Sequence, residues 1–252
     1  MAIMAGIGQI ITENACLEGS FLLTKRNFQN LILWKPRLGE AVTICNADNK
    51  FFRARIAKLE SDAAEVKVFE ELNQSVESNL NITLVQAIPE KERMELIIQK
   101  ATELGASSIV PFKSERSISL EERDAIQKKS HKWGEIALKA AKQSRRATIP
   151  QIQPYCNFAD AIKATSSHEF KLLLWENEKA NLLKEKIRAV KGLGVKNVSV
   201  MIGPEGGFAL TEIEEAKEAG FISVGLGARV LRTETAAITM IGLIQYELGN
   251  LG

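Results

Sequence analysis

The chain has 252 residues, 45% hydrophobic and 25% charged, with 33 Lys and Arg against 31 Asp and Glu. This composition excludes a disordered chain, and the length suits one large domain or two unequal ones. No stretch reaches the ~18 apolar residues of a membrane span, and a formal charge of +2 argues at first sight against a nucleic-acid partner.

The first segment has no basic run ahead of its apolar residues and meets Glu13 early, so no secretory signal is expected. Cys16, Cys45 and Cys156 are odd in number and far apart. They imply neither a disulfide framework nor a zinc site; no metal is expected, and a reduced cytoplasm suits them. Short strand-like runs follow at 21–23, 41–44, 51–56 and 64–70, the last alternating cleanly between apolar and charged residues. Turn signals at Leu38-Gly39-Glu40 and Ala47-Asp48-Asn49-Lys50 separate them. The pattern predicts a small β-barrel over residues 1–77, closed by a polar linker near 70–79.

From Asn81 the rhythm changes. Strands are predicted at 82–87, 108–112, 170–175, 197–202 and 221–224, and helices at 90–104, 120–146, 158–165, 211–219 and 235–248. Alternating strands and helices predict an α/β domain over 78–252 whose mostly parallel sheet is covered on both faces.

Three segments after predicted strands stand out. Ile202-Gly203-Pro204-Glu205-Gly206-Gly207-Phe208 holds three glycines and a proline, and precedes Thr211-Glu212-Ile213-Glu214 with its capping-box spacing. It lacks the Lys-Ser/Thr of a Walker loop and the GxGxxG of a dinucleotide site, and a tight strand-to-helix turn would also need these residues. Val224-Gly225-Leu226-Gly227-Ala228-Arg229 comes next. Then Val230-Leu231-Arg232-Thr233-Glu234-Thr235-Ala236-Ala237 opens the last helix, with Thr233 or Thr235 as its cap and free N–H groups suited to a polar ligand. Ligands of α/β sheets sit at the carboxyl ends of strands, and three such loops lie within about 35 residues.

Together, GPEGGF, GLG-x-R and LRTETA resemble the SPOUT class of S-adenosylmethionine-dependent RNA methyltransferases, and within it the RsmE family of bacterial 16S ribosomal RNA uridine-N3 methyltransferases. Gln86-Ala87-Ile88-Pro89, Lys100-Ala101-Thr102-Glu103-Leu104-Gly105, Pro111, Glu115-Arg116-Ser117 and Gln143-Ser144-x-Arg146 extend the resemblance across 82–250. The resemblance implies a trefoil knot, an exception to unthreaded topology, a PUA-like RNA-binding barrel in front, and a cytoplasmic homodimer whose partner completes the substrate pocket. It implies S-adenosyl-L-methionine as cofactor and N3 of uridine 1498 in 16S ribosomal RNA, free or within the small ribosomal subunit, as substrate.

Carried onto this sequence, the resemblance places Met201, Ile202, Gly203, Pro204, Glu205, Gly206 and Gly207 on one side of the cofactor. Leu226 and Gly227 would form another side, and Leu231, Thr233, Thr235 and Ala236 a third, with main-chain groups reading the adenine; Leu174 and Trp175, at the end of an earlier strand, are further candidates. The N-terminal part departs from the family. Asn27 to Lys35 contains no histidine and has Trp34 where arginine is expected, leaving Lys25, Arg26 and Arg37 to supply charge.

Methylation at N3 requires loss of the imide proton and in-line attack on a sulfonium methyl, with the base held at roughly 3–3.5 Å. A base stacked in RNA must first be extruded. Arg232 is the first choice for the cation that stabilises uracil's negative charge, then Arg116. Glu205 and Glu234 are candidate general bases. Bland roles compete: Glu234 suits the positive end of a helix, and Glu205 can brace its own loop. His131 and His168 read as surface residues, Trp133 and Trp175 as packing residues.

Charge is unevenly spread. Residues 113–146 carry ten Lys and Arg against five Asp and Glu, whereas 1–77 carry nine against ten. Lys139, Lys142 and Arg146 at helical spacing form a predicted stripe for phosphates. The RNA-binding candidates are Arg26, Lys100, Arg116, Lys142, Gln143 and Arg146. Other functions compatible with the motifs are ribose 2′-O methylation by a SPOUT relative, or RNA binding without catalysis.

Overall fold

The structure is a computed structural model that describes residues 6–13, 15–89, 93–127 and 130–251. Two sheets organise it. The first is antiparallel, with β1 (Ser20–Leu23), β2 (Ala41–Cys45), β3 (Phe51–Leu59) and β4 (Ala64–Leu72) in the order β1-β4-β3-β2. Alternation builds it: Phe52, Ala54 and Ile56 of β3 and Val66 and Val68 of β4 are buried, while Arg55, Lys67 and Phe69 face outward. Periodicity missed helix α1 (Lys25–Leu33), which adds Phe28 and Leu31 to the same core. Trp34 is buried and donates its indole N–H to the Gly8 carbonyl at 2.7 Å. At the position where the resemblance implies arginine, this chain has a packing residue that fastens the N-terminal segment.

The second sheet contains β5 (Asn81–Ala87), β6 (Ala106–Lys113), β7 (Gln151–Ile152), β9 (Phe170–Leu174), β10 (Asn197–Ile202) and β11 (Ile222–Val224) in the order β11-β9-β10-β5-β6-β7; β8 (Cys156–Asn157) also pairs with β6. Every ladder between these strands is parallel. On one face, Leu84, Leu172, Val198, Val200 and Ile202 join a core with α2 (Arg93–Glu103) and α8 (Thr233–Leu248). On the other, Val85, Val110, Leu173 and Met201 meet α5 (Phe158–Lys163) and α7 (Leu210–Glu218). Burial on both faces is why these strands read as unbroken apolar runs. No helix among the described residues is long and apolar enough to cross a membrane.

Some elements differ from expectation. The predicted helix over 90–104 begins at Arg93, with Glu90–Glu92 outside the described residues. The long helix over 120–146 is two, α3 (Leu120–Gln127) and α4 (Trp133–Gln143), with a 3-10 turn at Ser130–Lys132 between them. Helix α6 (Leu183–Val190) and the two-residue strands β7 and β8 were not predicted.

The end of α4 overturns one candidate. Arg145 adopts a left-handed backbone (φ 59°), its N–H donates to the Lys142 carbonyl at 3.2 Å, and the Arg146 N–H reaches Ala141 at 2.9 Å. This is a Schellman stop with arginine in the usual glycine position. It reverses the chain, so Arg146 leaves the helical stripe and points inward, 4% exposed. Its guanidinium bonds Glu77, the carbonyls of Thr102 and Ala106, and the Thr148 hydroxyl. Glu77, 5% exposed, also accepts the N–H groups of Ala147 and Thr148. Arg146 is therefore a structural cation that RNA does not reach.

His168 also departs from its surface reading. It is half-buried, its Nδ1 meets the hydroxyl of the fully buried Ser199, and burial, then Lys171, depresses its pKa against the opposite pull of Glu169. The unfolded chain takes up this proton near pH 6.5 and the folded chain does so only at lower pH. Stability associated with His168 is thus present above about pH 6.5 and lost as pH falls below it. Thermal melts are expected to lose stability between about pH 7.5 and about pH 5.5, and His168→Asn to lose less over that interval.

Candidate active site

The carboxyl ends of β10, β9 and β11 lie side by side, with Ile202 opposite Leu174 and Leu174 opposite Val224. The loops leaving these ends and the first turn of α8 enclose a cavity of about 340 Å³. The 203–209 loop turns through Gly207, left-handed at φ 67°, whose N–H returns to the Pro204 carbonyl at 3.1 Å. Its far end is capped at Ala209 rather than by the predicted Thr211 and Glu214 pair. The buried Glu212 carboxylate accepts from the Ala209 N–H at 2.9 Å, the Ser114 hydroxyl at 3.0 Å and the Glu115 N–H at 3.0 Å. One side chain thereby starts α7 and ties its loop to the end of β6.

At the second loop, a Cβ on Gly225 would stand 2.3 Å from the Glu178 carbonyl oxygen, so only glycine fits. At the third, Arg232 occupies the N-cap of α8 with no side-chain cap bond. Thr233 does not cap the helix; its hydroxyl donates to the Gly203 carbonyl at 2.7 Å and accepts from Gln86 Nε2 at 3.0 Å. Loops one and three are locked together through this hydroxyl.

Most residues expected around a cofactor line this cavity. Leu174, Ile202, Gly203 and Pro204 form one stretch, Glu205, Gly206, Gly207 and Leu226 another, and Gly227, Leu231, Thr233 and Ala236 the rest, with Arg232 beside them. Two expected residues do not. Met201 is fully buried on the α7 face, because neighbouring strand residues point to opposite sides and Ile202 takes the cavity side. Thr235 is exposed on α8, off the face that carries Thr233 and Ala236. Trp175, Glu176, Phe208, Arg229 and Arg93 also line the cavity.

Arg93 has the most charged surroundings of these. Its Nη1 lies 2.8 Å from Glu205 Oε1 and its Nε 3.6 Å from Glu234 Oε2. Glu234 itself does not line the cavity, and among the described residues its buried Oε2 has no hydrogen-bond partner. A base that must touch the nucleobase is expected on the cavity wall, so this position differs from the one read for Glu234. The available sequence signal for Arg93 was positional: it opens the helix that follows β5, at the same sheet edge as the other loops. Among the described residues, no group of three metal-binding side chains is present.

The model of the RNA methyltransferase domain matches residues 76–245. The ribosomal RNA small subunit methyltransferase E of Mesomycoplasma hyopneumoniae is 31% identical, over 89% of this chain and 93% of that one. That of Buchnera aphidicola subsp. Schizaphis graminum is 33% identical over 84% of each. The chain belongs to the ribosomal RNA small subunit methyltransferase E family. A solved family member from Neisseria gonorrhoeae, bound to S-adenosyl methionine, is 32% identical and covers 98% of this chain and 100% of its own, with a TM-score of 0.69. A putative methyltransferase from Legionella pneumophila, in complex with the bound cofactor SAM, is 31% identical over 97% and 99%, with a TM-score of 0.66.

The RNA-binding candidates of this methyltransferase E family member are spread around the molecule. Arg116 is exposed and donates to the Gly206 carbonyl at 3.2 Å, at the cavity rim. Gln143 and Arg26 are exposed, at the end of α4 and on α1. Lys100 pairs with Glu103 at 2.7 Å. Lys142 reaches across to Glu40, the residue before β2, at 2.7 Å. Of the basic run over 113–146, Arg123 is also fully buried, paired with Glu95 at 2.6 Å. The free cationic surface is smaller than the sequence count suggests.

Proposed function

We propose that the chain methylates N3 of uridine 1498 in 16S ribosomal RNA, using S-adenosyl-L-methionine, in the cytoplasm where that RNA resides. The observation carrying this reading is the convergence of three strand-end loops on one cavity. The cofactor fits that cavity chemically. Leu174, Ile202, Leu226, Leu231 and Ala236 offer apolar walls to a flat heterocycle, and Glu176 and Arg229 offer charges to an amino-acid group. The volume lies in the usual range for small-molecule sites, roughly 300–1,000 Å³. When bound, the cofactor supplies an electrophilic methyl on a sulfonium. The chain's own part is to fix the extruded uracil, exclude water, take the imide proton and balance the negative charge, for which Arg232 and Arg116 stand at the cavity and its rim.

The finer architecture belongs to the same reading. Residues 1–77 serve as a PUA-like RNA-binding unit and 78–252 as the catalytic unit, whose last segment is threaded as a trefoil knot. The order β11-β9-β10-β5, with α8 packed on α2, β5 and β10, supports that threading. A homodimer is supported by the exposed Leu243 and Tyr246, three residues apart on α8, and by exposed Leu96 on the adjoining α2. Mass spectrometry of 16S ribosomal RNA from a strain lacking the protein is expected to show unmethylated uridine at the target. Retention of the methyl group there would reject the substrate.

A further inference from the structure

We propose that Arg93 and Glu205 act as a pair on the imide edge of the target uracil: Glu205 takes the N3 proton, Arg93 donates to an adjoining carbonyl oxygen, and Glu234 positions Arg93. The proposal rests on the uridine-N3 reading given above. Arg93 Nη1 and Glu205 Oε1, 2.8 Å apart, set a donor beside an acceptor on the cavity wall. An imide edge presents the complement, an N–H donor beside a carbonyl acceptor.

The two carboxylates around Arg93 are not equivalent. Glu205 lines the cavity with its side chain 26% exposed, within reach of a ligand. Glu234, 13% exposed, lies off the cavity wall, and among the described residues the charge that balances its buried Oε2 is the Arg93 guanidinium, with Nε at 3.6 Å. A buried carboxylate needs a counter-charge, so Glu234 and Arg93 hold each other. Arg232, in contrast, is exposed and forms no side-chain hydrogen bond or ion pair among the described residues. Transition-state charge is stabilised most by groups fixed before the reaction, which favours Arg93 for this contact. Uracil has two carbonyls flanking N3, and the second is left to Arg232.

The proton step balances. The N3–H bond breaks, its electron pair stays on N3 and spreads onto the flanking oxygens, and the proton forms an O–H bond with the Glu205 carboxylate. One negative charge moves from Glu205 to uracil while both remain beside Arg93. No new charge separation is created. After methylation Glu205 returns the proton to water.

The test compares Arg93→Met, Glu205→Gln and Glu234→Gln on RNA carrying either uridine or 5-fluorouridine at the target. On uridine, the first two variants are expected to lose about 10²–10³-fold in kcat/KM. Fluorine makes the imide more acidic, so on 5-fluorouridine both losses are expected to shrink by about tenfold or more. Glu234→Gln is expected to lose on the order of tenfold, in kcat rather than KM. Calorimetry with S-adenosylmethionine is expected to give affinities within about threefold of wild type for all three. Equal losses on the two substrates, rates within about threefold of wild type for Arg93→Met or Glu205→Gln, or a fall in cofactor affinity matching the rate loss would each overturn the proposal. If wild-type enzyme yields no 3-methyluridine, the reaction assignment falls and this proposal with it. The wild-type product therefore separates the two failures.

Discussion

Glu77→Ala is expected to lower the unfolding free energy by about 3–5 kcal/mol. The substitution strands the Arg146 guanidinium, 4% exposed, beside two carbonyls that do not neutralise it, and removes the acceptor of the Ala147 and Thr148 N–H groups. A domain is stable by about 5–15 kcal/mol in all, so this loss threatens folding at physiological temperature. Removing both charges is a different matter, because a buried pair gains little over well-packed apolar residues. Glu77→Leu combined with Arg146→Met is therefore expected to recover the part of the loss that comes from the stranded charge, while the Ala147 and Thr148 N–H groups stay without their acceptor. Urea titrations of both variants check this; a single-variant loss below about 1 kcal/mol would mean that water reaches the pair.

Arg232→Ala is expected to reduce kcat/KM by about 10²–10³-fold while leaving the fold intact. Arg232 sits at the N-cap of α8, where its backbone carbonyl accepts the Ala236 N–H at 2.8 Å. That bond does not depend on the side chain, and the exposed guanidinium braces no other element among the described residues. Its removal therefore takes charge from the cavity rather than support from the helix. Circular dichroism and sedimentation are expected to match wild type, with the loss confined to methyl transfer. Wild-type turnover would remove Arg232 from the reaction.

The parts of the molecule legible in the sequence are those whose local pattern and tertiary role agree. The strands over 82–87 and 197–202 are apolar because both faces are covered, and the Gly-rich segments lie at strand ends because the chain must turn there. Three departures show where local pattern yields to tertiary contact. Helix α1 is anchored from outside itself: the Asn27 amide accepts from the Ile11 N–H and donates to the Ile11 carbonyl, contacts 16 residues away in sequence. Arg146 matches a helical stripe by spacing, but one left-handed residue before it ends the helix and turns it inward. Arg93 lay in a recognised helix, yet its partners Glu205 and Glu234 are more than 100 residues further along, and only the fold unites them.

The position of β10 carries a consequence for how the protein is made. Its ladder neighbours β5 and β9 both precede it in the chain, and β11 and α8 follow it. During synthesis the β5–β6 and β9 portions emerge with the seam between them unfilled, their apolar edges waiting for residues 197–202. The loops that wall the cavity are translated later still. A nascent chain therefore holds no ligand-competent site until β11 and the first turn of α8 have left the ribosome. Such non-local pairing folds slowly, and interrupted translation yields products that expose unpaired strands instead of partial activity.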